Sequence, residues 1–186
     1  YGYGWPLERA MKASIDTTLA AKEAGLHTVF FTIDATRTEL NRFLDIVEQV
    51  ATEGHMDALT IADTMGVCTP DAVSHVVKKV IDRLKKPVEI HCHQDFGLGV
   101  ANTVAALAAG ASVAHTTITG LGERAGNVPM EDVVMSLLLV MVGYAMTTGG
   151  FAPGGRLPVP AGLLQAPRRG HPDRHGTRLL QLRRGD

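Results

Sequence analysis

The stretch Val88-Glu89-Ile90-His91-Cys92-His93-Gln94-Asp95 lies between two segments with helical patterns and is typical of a β-strand. A strand places alternate side chains on one face, so Glu89, His91 and His93 are predicted to point the same way. Two neutral imidazoles within reach of one point suit a divalent metal ion, and a nearby carboxylate can orient a ligand or move a proton. The alternative is that both histidines are ordinary polar residues on a half-exposed strand. The stretch therefore predicts a strand that carries a candidate metal site.

Three other short segments have the same apolar, β-branched character: His27 to Asp34, Ala58 to Thr64 and Ser112 to Gly120. Helical patterns separate the four segments, and a further helix precedes them. Four apolar residues step by four along the chain and predict this first helix: Leu7, Met11, Ile15 and Leu19. Gly25 is its predicted stop. Strands that alternate with single helices at a near-constant period indicate parallel βα units.

The other helices are predicted from their caps and apolar spacing. One follows Arg37 and ends near Gly54, and the next begins after Thr69-Pro70, a capping residue followed by proline at the first helical position. An alanine-rich helix covers roughly residues 100 to 109. The last opens after Pro129 with two acidic residues, which are favourable at the positive end of a helix dipole.

Four βα units preceded by a helix correspond to half of an eight-fold barrel. Polar residues gather at the carboxyl end of each predicted strand, where the functional sites of TIM barrels lie. A doubly wound open sheet is the structural alternative. We expect an α/β fold, a partial (β/α)8 TIM barrel, over residues 1–148, followed by a separate tail over residues 149–186.

Four motifs stand in order along the chain and together carry a family resemblance. They are Asp34-Ala35-Thr36-Arg37-Thr38-Glu39, Ala62-Asp63-Thr64-Met65-Gly66 with Thr69-Pro70, His91-Cys92-His93-Gln94-Asp95-Phe96-Gly97, and Gly120-Leu121-Gly122-Glu123-Arg124-Ala125-Gly126-Asn127. Over roughly residues 5 to 146 this set resembles the metal-dependent acyl-CoA condensing enzymes, the family of 2-isopropylmalate, homocitrate and citramalate synthases. The resemblance implies that these strands are the fifth to eighth of a (β/α)8 barrel.

The resemblance also implies an acyltransferase that condenses acetyl-CoA with a 2-oxo acid on a divalent metal ion, Mg, Mn or Zn. It makes Asn127 a metal ligand beside His91 and His93, and the intact family implies a homodimer. The acyl-CoA side of the site would be the glycine-rich loop, with Gly120, Gly122, Glu123 and Arg124 as its contacts. Glu89 is the candidate for positioning or proton movement, and Thr64 is a candidate substrate contact because it shares a strand phase with Ala62.

Several of these residues have a structural alternative. Asn127 could cap the helix that follows it. Glu123 and Arg124 could pair with each other or with neighbouring loops. Asp63, which could touch substrate together with Thr64, could instead cap its own turn. Cys92 is expected to face the helix layer as part of the core.

The sequence departs from the family pattern at positions that affect which substrate is expected and whether the whole barrel is present. Ile33 stands where the family usually has a glutamate, and Gln94 replaces the usual asparagine, so the identity of the 2-oxo acid is left open. The family's first strand, with an Arg-Asp-Gly-type motif that supplies a metal-binding aspartate and a catalytic arginine, has no counterpart here. We therefore expect a fragment with little activity on its own.

The rival functions are a metal-dependent lyase or aldolase on the same barrel, and an inactive fragment that associates with barrel partners.

Charge and composition divide the chain after residue 150. Residues 1–150 hold 11 Lys and Arg against 17 Asp and Glu, whereas residues 151–186 hold seven Arg, no Lys and two Asp. The acidic body argues against a nucleic-acid surface. The tail is rich in Gly, Pro and Arg and is expected to be disordered, or an out-of-frame or artificial extension, with a regulatory tail as the alternative.

The cellular compartment is predicted from the cysteines, the apolar runs and the start of the sequence. Its two cysteines, Cys68 and Cys92, are too few for a secreted disulfide framework. No apolar run reaches the roughly 20 residues that span a bilayer, and no signal pattern opens the chain. A cytoplasmic protein without a membrane partner is the expectation.

Overall fold

The computed structural model describes residues 4–148, and the side chains of residues 4–143. In this part of the chain, helices and strands alternate. The helices are α1 (Leu7–Glu23), α2 (Leu40–Glu53), α3 (Pro70–Leu84), α4 (Gly99–Ala109) and α5 (Met130–Thr148). The strands are β1 (Val29–Thr32), β2 (Ala58–Asp63), β3 (Val88–Cys92) and β4 (Val113–His115). Short 3-10 turns follow β1 at Ala35–Arg37 and β4 at Ile118–Gly120.

The four strands form one parallel sheet in the order β1-β2-β3-β4. Each helix packs against the next one along the chain, from α1 to α5. The prediction of parallel βα units is therefore confirmed. A doubly wound sheet would reverse its strand order at a switch point, and this sheet does not reverse.

The core lies between the sheet and the helix layer. All six residues of β2 are buried, because this strand has a neighbour on each side and helices over one face. The larger core side chains are aliphatic, and burying each contributes about 1.5–3 kcal/mol; the set that is almost wholly buried includes Val47, Val50, Leu59, Ile61, Val77, Val80 and Ile90. Cys92 belongs to this core, and burial raises the pKa of its thiol to about 12.

Side chains cap the helices that lead away from the strands. The Thr69 hydroxyl accepts from the Ala72 N–H, as the sequence predicts. The Glu39 carboxylate accepts from two backbone N–H groups of the first turn of α2. Gln94 accepts from the Gly99 N–H at the start of α4, so this residue helps to begin a helix directly after the candidate metal site.

The fourth strand is shorter than predicted. It ends at His115, and a 3-10 turn follows where the sequence suggested a strand as far as Gly120. The reason is local, because Thr119 and Gly120 have φ values of 57° and 71°, in the left-handed region. A strand cannot continue through that conformation.

None of the helices among residues 4–148 is long and apolar enough to cross a membrane. The predictions for the tail, residues 149–186, fall outside the described residues.

Candidate metal centre

His91 and His93 come together at the carboxyl end of the sheet. Their Nε2 atoms are 3.2 Å apart, because His91 lies in β3 and His93 follows one side-chain repeat later on the same face. Two nitrogen ligands at 2.0–2.1 Å from one ion are separated by about 2.9–3.4 Å when the angle between them is between a right angle and tetrahedral. The pair therefore fits two neighbouring positions on a single metal ion.

Burial keeps one of these imidazoles in the form that binds metal. Burial, with the nearby charges of His115 and His93, lowers the pKa of His91 to about 4. His91 is thus neutral at physiological pH, and a neutral ring nitrogen has the lone pair that a metal needs. His93 is itself only 7% exposed.

Asn127 lies beside His93, to which it is joined by an isolated antiparallel bridge. Its Nδ2 donates to the Leu121 carbonyl at 3.1 Å, and its Oδ1 is buried without a hydrogen-bond partner. The alternative that the Asn127 side chain caps α5 is therefore wrong. A buried amide oxygen without a donor is a suitable metal ligand, since oxygen donors suit Mg²⁺ and Mn²⁺.

Glu89 does not bond to either of these histidines but to a third one. Its Oε2 lies 2.8 Å from Nε2 of His115 and accepts from the Thr60 hydroxyl at 3.1 Å. Burial acts to raise the pKa of Glu89, but the hydrogen bond and charge of His115, with the Thr60 bond, outweigh it and lower the pKa. The site thus contains an ionised carboxylate below the His91–His93 pair.

Sequence reasoning missed His115. It lies in β4 in register with His91, and the two rings are 5.6 Å apart. The signal was available, because the strand alternation that selects His91 also selects the histidine in the next strand. Applying that phase to the fourth segment would have found it.

An apolar wall flanks the histidines on the β1 side. The Phe31 ring lies 5.3 Å from the His91 ring and 5.8 Å from the His115 ring. Ile33 lies in the turn after β1 and is 77% exposed. This wall adds no charge to the site.

Thr64 and Arg124 join the loops that surround the site. The Thr64 hydroxyl accepts from the Asp34 N–H at 2.7 Å, which leaves the hydroxyl proton to donate elsewhere. The Arg124 guanidinium forms a two-point ion pair with Asp95 and also donates to the Thr64 carbonyl. Its contact with Glu123 is longer, 3.7 Å. The alternative that Arg124 pairs with neighbouring loops therefore describes this structure.

Asp63 is wholly buried and organises the turn below the site. It accepts from the Thr36 hydroxyl and from the backbone N–H groups of Val67 and Cys68, and Asn102 approaches it at 3.5 Å. Its carboxylate is thus committed to the scaffold and not to a substrate.

The side chains described, residues 4–143, contain no group of three or more His, Cys, Asp or Glu that could hold a metal ion. The candidate donors in this part of the chain are therefore the imidazoles of His91 and His93 and the amide oxygen of Asn127.

The family model described as HMGL-like matches residues 3–149. This chain belongs to the HMGL-like family. Among its relatives are a 2-isopropylmalate synthase of Methanocaldococcus jannaschii, 40% identical over 133 residues, and a homocitrate synthase of Methanopyrus kandleri, 42% identical over 130 residues. The predicted resemblance to condensing synthases is confirmed at the level of the family.

These matches cover most of this HMGL-like chain but a small part of each relative. They take in 72% and 70% of this chain, but only 26% of the 2-isopropylmalate synthase and 32% of the homocitrate synthase. The chain thus spans about a quarter to a third of the relatives' length.

The HMG-CoA lyase of Brucella melitensis has a similar structure, with a TM-score of 0.65 and 21% sequence identity. The match covers 73% of this chain and 52% of the lyase. At this identity the likeness concerns the fold alone. The HMGL-like chain therefore has an α/β fold whose four-stranded parallel sheet matches TIM-barrel neighbours.

Proposed function

We propose that this chain forms the metal-holding part of an acyltransferase that condenses acetyl-CoA with a 2-oxo acid, in the manner of 2-isopropylmalate and homocitrate synthases. The observation that supports it most is the 3.2 Å separation of the two Nε2 atoms of His91 and His93, next to the unpartnered Oδ1 of Asn127. Two relatives named as synthases are 40% and 42% identical to the chain over most of its length.

His91, His93 and Asn127 would hold one divalent ion, Mg²⁺, Mn²⁺ or Zn²⁺. Such an ion supplies Lewis-acid polarisation of the keto carbonyl when it is bound. The two imidazoles and the amide oxygen would hold the ion beside the 2-oxo acid. Thr64 can add a hydrogen bond to the carboxylate of that acid, since its hydroxyl proton is not used by Asp34.

The reaction itself joins two carbon atoms and breaks a thioester. A base removes a proton from the methyl group of acetyl-CoA, the carbanion attacks the keto carbon, and the keto oxygen takes up a proton to become a hydroxyl group. Water then cleaves the thioester to give a carboxylate and free CoA. Glu89 is ionised and hydrogen-bonded to His115. Glu89 is therefore proposed to position His115 or to move a proton through the hydrogen bond between them.

The glycine-rich loop between β4 and α5 is proposed to face the acyl-CoA. Gly120 and Gly122 let this loop pack closely against Asn127 and Pro129, and Glu123 is exposed, with 83% of its side chain accessible. Arg124 is less suited to this role than the sequence suggests, because its guanidinium is already paired with Asp95.

We also propose that the four strands are half of a (β/α)8 barrel whose remaining ligand and catalytic arginine belong to the other half. The test is a chimera of the Methanocaldococcus jannaschii 2-isopropylmalate synthase in which the matched 133 residues are replaced by those of this chain. With a panel of 2-oxo acids and divalent metal, the chimera should release thiol from acetyl-CoA. The isolated 186-residue chain should release little or none.

The matched control is the same chimera with His91→Ala and His93→Ala, which should lose metal and thiol release together. A folded, metal-loaded chimera that releases no thiol would contradict the proposed function. Carbon–carbon cleavage of a hydroxyacyl-CoA in place of condensation would instead favour the lyase reaction.

A further inference from the structure

Arg124 joins three loops at the carboxyl end of the sheet. From its own loop after β4, Nε donates to Oδ1 of Asp95 at 2.7 Å and one terminal nitrogen donates to Oδ2 at 2.9 Å. That terminal nitrogen also donates to the carbonyl of Thr64, in the loop after β2. A guanidinium is the side chain suited to this, because its planar fork matches a carboxylate at two points.

The loop that Arg124 ties down encloses Asn127. The Asn127 N–H donates to the Gly120 carbonyl at 3.0 Å, and its Nδ2 donates to the Leu121 carbonyl at 3.1 Å. A Cβ added to Gly122 would lie 2.6–2.7 Å from three atoms of Asn127. The loop therefore holds the backbone N–H and the side-chain Nδ2 of Asn127 and leaves Oδ1 without a partner.

The same loop is also joined to the strand that carries the histidines. The Gln94 N–H donates to the Gly126 carbonyl at 3.0 Å, so residues 126 and 127 pair with the segment at His93 and Gln94. Arg124 reaches the same segment from the other side, through Asp95. The position of Asn127 relative to His93 thus depends on a loop held at both ends.

We propose that Arg124 is a positioning residue for the metal centre, which fixes the Asn127 carbonyl oxygen beside His93 by clamping the glycine-rich loop to Asp95 and Thr64. This inference rests on the proposed metal site and changes the role of Arg124 from acyl-CoA contact to loop clamp. The arginine acts at a distance, through the loop, and does not touch the ion.

Metal titration of the 186-residue chain tests this, with Mn²⁺ and Zn²⁺ as the probes. Arg124→Ala and Arg124→Lys should each lower metal affinity about tenfold to a hundredfold, the usual loss when a group that supports a ligand is removed. Lysine should not rescue, because a point charge cannot form the two-point contact. Asp95→Asn, which removes the partner carboxylate, provides a second variant if Arg124→Ala folds poorly.

The matched control is Arg37→Ala. Arg37 forms an equivalent two-point ion pair, with Asp34, at the same end of the sheet but in the loop after β1. It should leave metal affinity unchanged. Because Arg124 acts through Asn127, the double variant Arg124→Ala with Asn127→Ala should bind no more weakly than Asn127→Ala alone.

Metal affinity of Arg124→Ala within about twofold of wild type would overturn the proposal. So would a loss of affinity in the double variant equal to the product of the losses in the two single variants. Amide exchange distinguishes this failure from failure of the metal site. If wild type takes up no metal, the amides of Gln94 and Asn127 should still exchange faster in Arg124→Ala than in wild type or Arg37→Ala. Equal exchange in all three would refute the clamp itself.

Discussion

Glu89 shows how one carboxylate in this site is kept ionised although it is buried. Burial acts to raise the pKa of Glu89, but His115 and the Thr60 hydroxyl both favour the charged form and lower it. The hydrogen-bonded pair of Glu89 and His115 is a functional candidate because ionisable groups with perturbed pKa values are often found at functional sites. The same residue-scale reasoning separates Glu89 from Asp63, whose oxygens are used by the scaffold.

Asp57, at the opposite end of the sheet, allows a prediction of pH dependence. The Thr28 N–H donates to its Oδ2, burial acts in the other direction, and His27 and His55 lie nearby; the net effect is a pKa below the usual 3.8. The native state therefore binds this proton less readily than the unfolded state, and the stabilisation is present above about pH 4 and lost as pH falls through the native pKa. Asp57→Asn should remove this part of the acid-induced loss.

The measurement is the urea midpoint of unfolding from pH 3 to pH 7. The control is Asp16→Asn, since Asp16 pairs with Lys12 on the surface of α1 and should leave the pH dependence unchanged. An Asp57→Asn variant whose midpoint falls as steeply as that of wild type below pH 4 would contradict this prediction.

At the scale of the element, strand phase was predictable and loop contacts were not. Alternation along β3 is enough to place His91 and His93 together, and Thr69-Pro70 is enough to start α3. The pairing of Arg124 with Asp95 joins residues 29 apart in sequence and leaves no periodic signal. The early end of β4 depends on a left-handed Thr119, a residue type that rarely adopts this conformation. The loop conformations could not be predicted from the sequence, because contacts between residues far apart in the chain determine them.

The loop between β4 and α5 yields a second prediction. Gly122→Ala should weaken metal binding by about tenfold, the lower end of the loss expected when a supporting group is disturbed. The added Cβ would lie 2.6 Å from Cγ of Asn127 and force the amide to move. The φ of Gly122 is not in the left-handed region, so the effect is one of space and not of backbone strain.

Gly143→Ala is the control for that variant. A Cβ at this position in α5 meets no heavy atom within 4 Å, and metal affinity should not change. Metal binding by Gly122→Ala equal to that of wild type would show that Asn127 can shift without cost, or that it is not a ligand.

At the scale of the whole molecule, the described residues form an open sheet. Within residues 4–148, β1 and β4 each pair on one side only, and several apolar side chains of α5 are about half exposed or more, among them Met135, Leu139 and Val140. An open sheet with unpaired edges and apolar borders favours association. This agrees with the proposal that the sheet is half of a barrel.

A truncation tests the predicted domain boundary. Removing residues 151–186 should leave the urea midpoint of unfolding unchanged, because their Gly, Pro and Arg content offers little apolar surface against the roughly 1–2 kcal/mol per residue needed to order a backbone. Solubility should improve if the tail is an artificial extension. A clear loss of stability, or slow amide exchange within residues 156–186, would mean that the tail is a structural element.

The central claim is that His91 and His93 hold one divalent ion, and metal titration tests it most directly. Wild type should bind one Mn²⁺ or Zn²⁺ ion per chain, and the double variant His91→Ala with His93→Ala should lose that binding. His75→Ala, which removes an exposed imidazole on α3, should bind as wild type does. Equal affinity of wild type and the His91→Ala, His93→Ala variant would contradict the metal site and the function built on it.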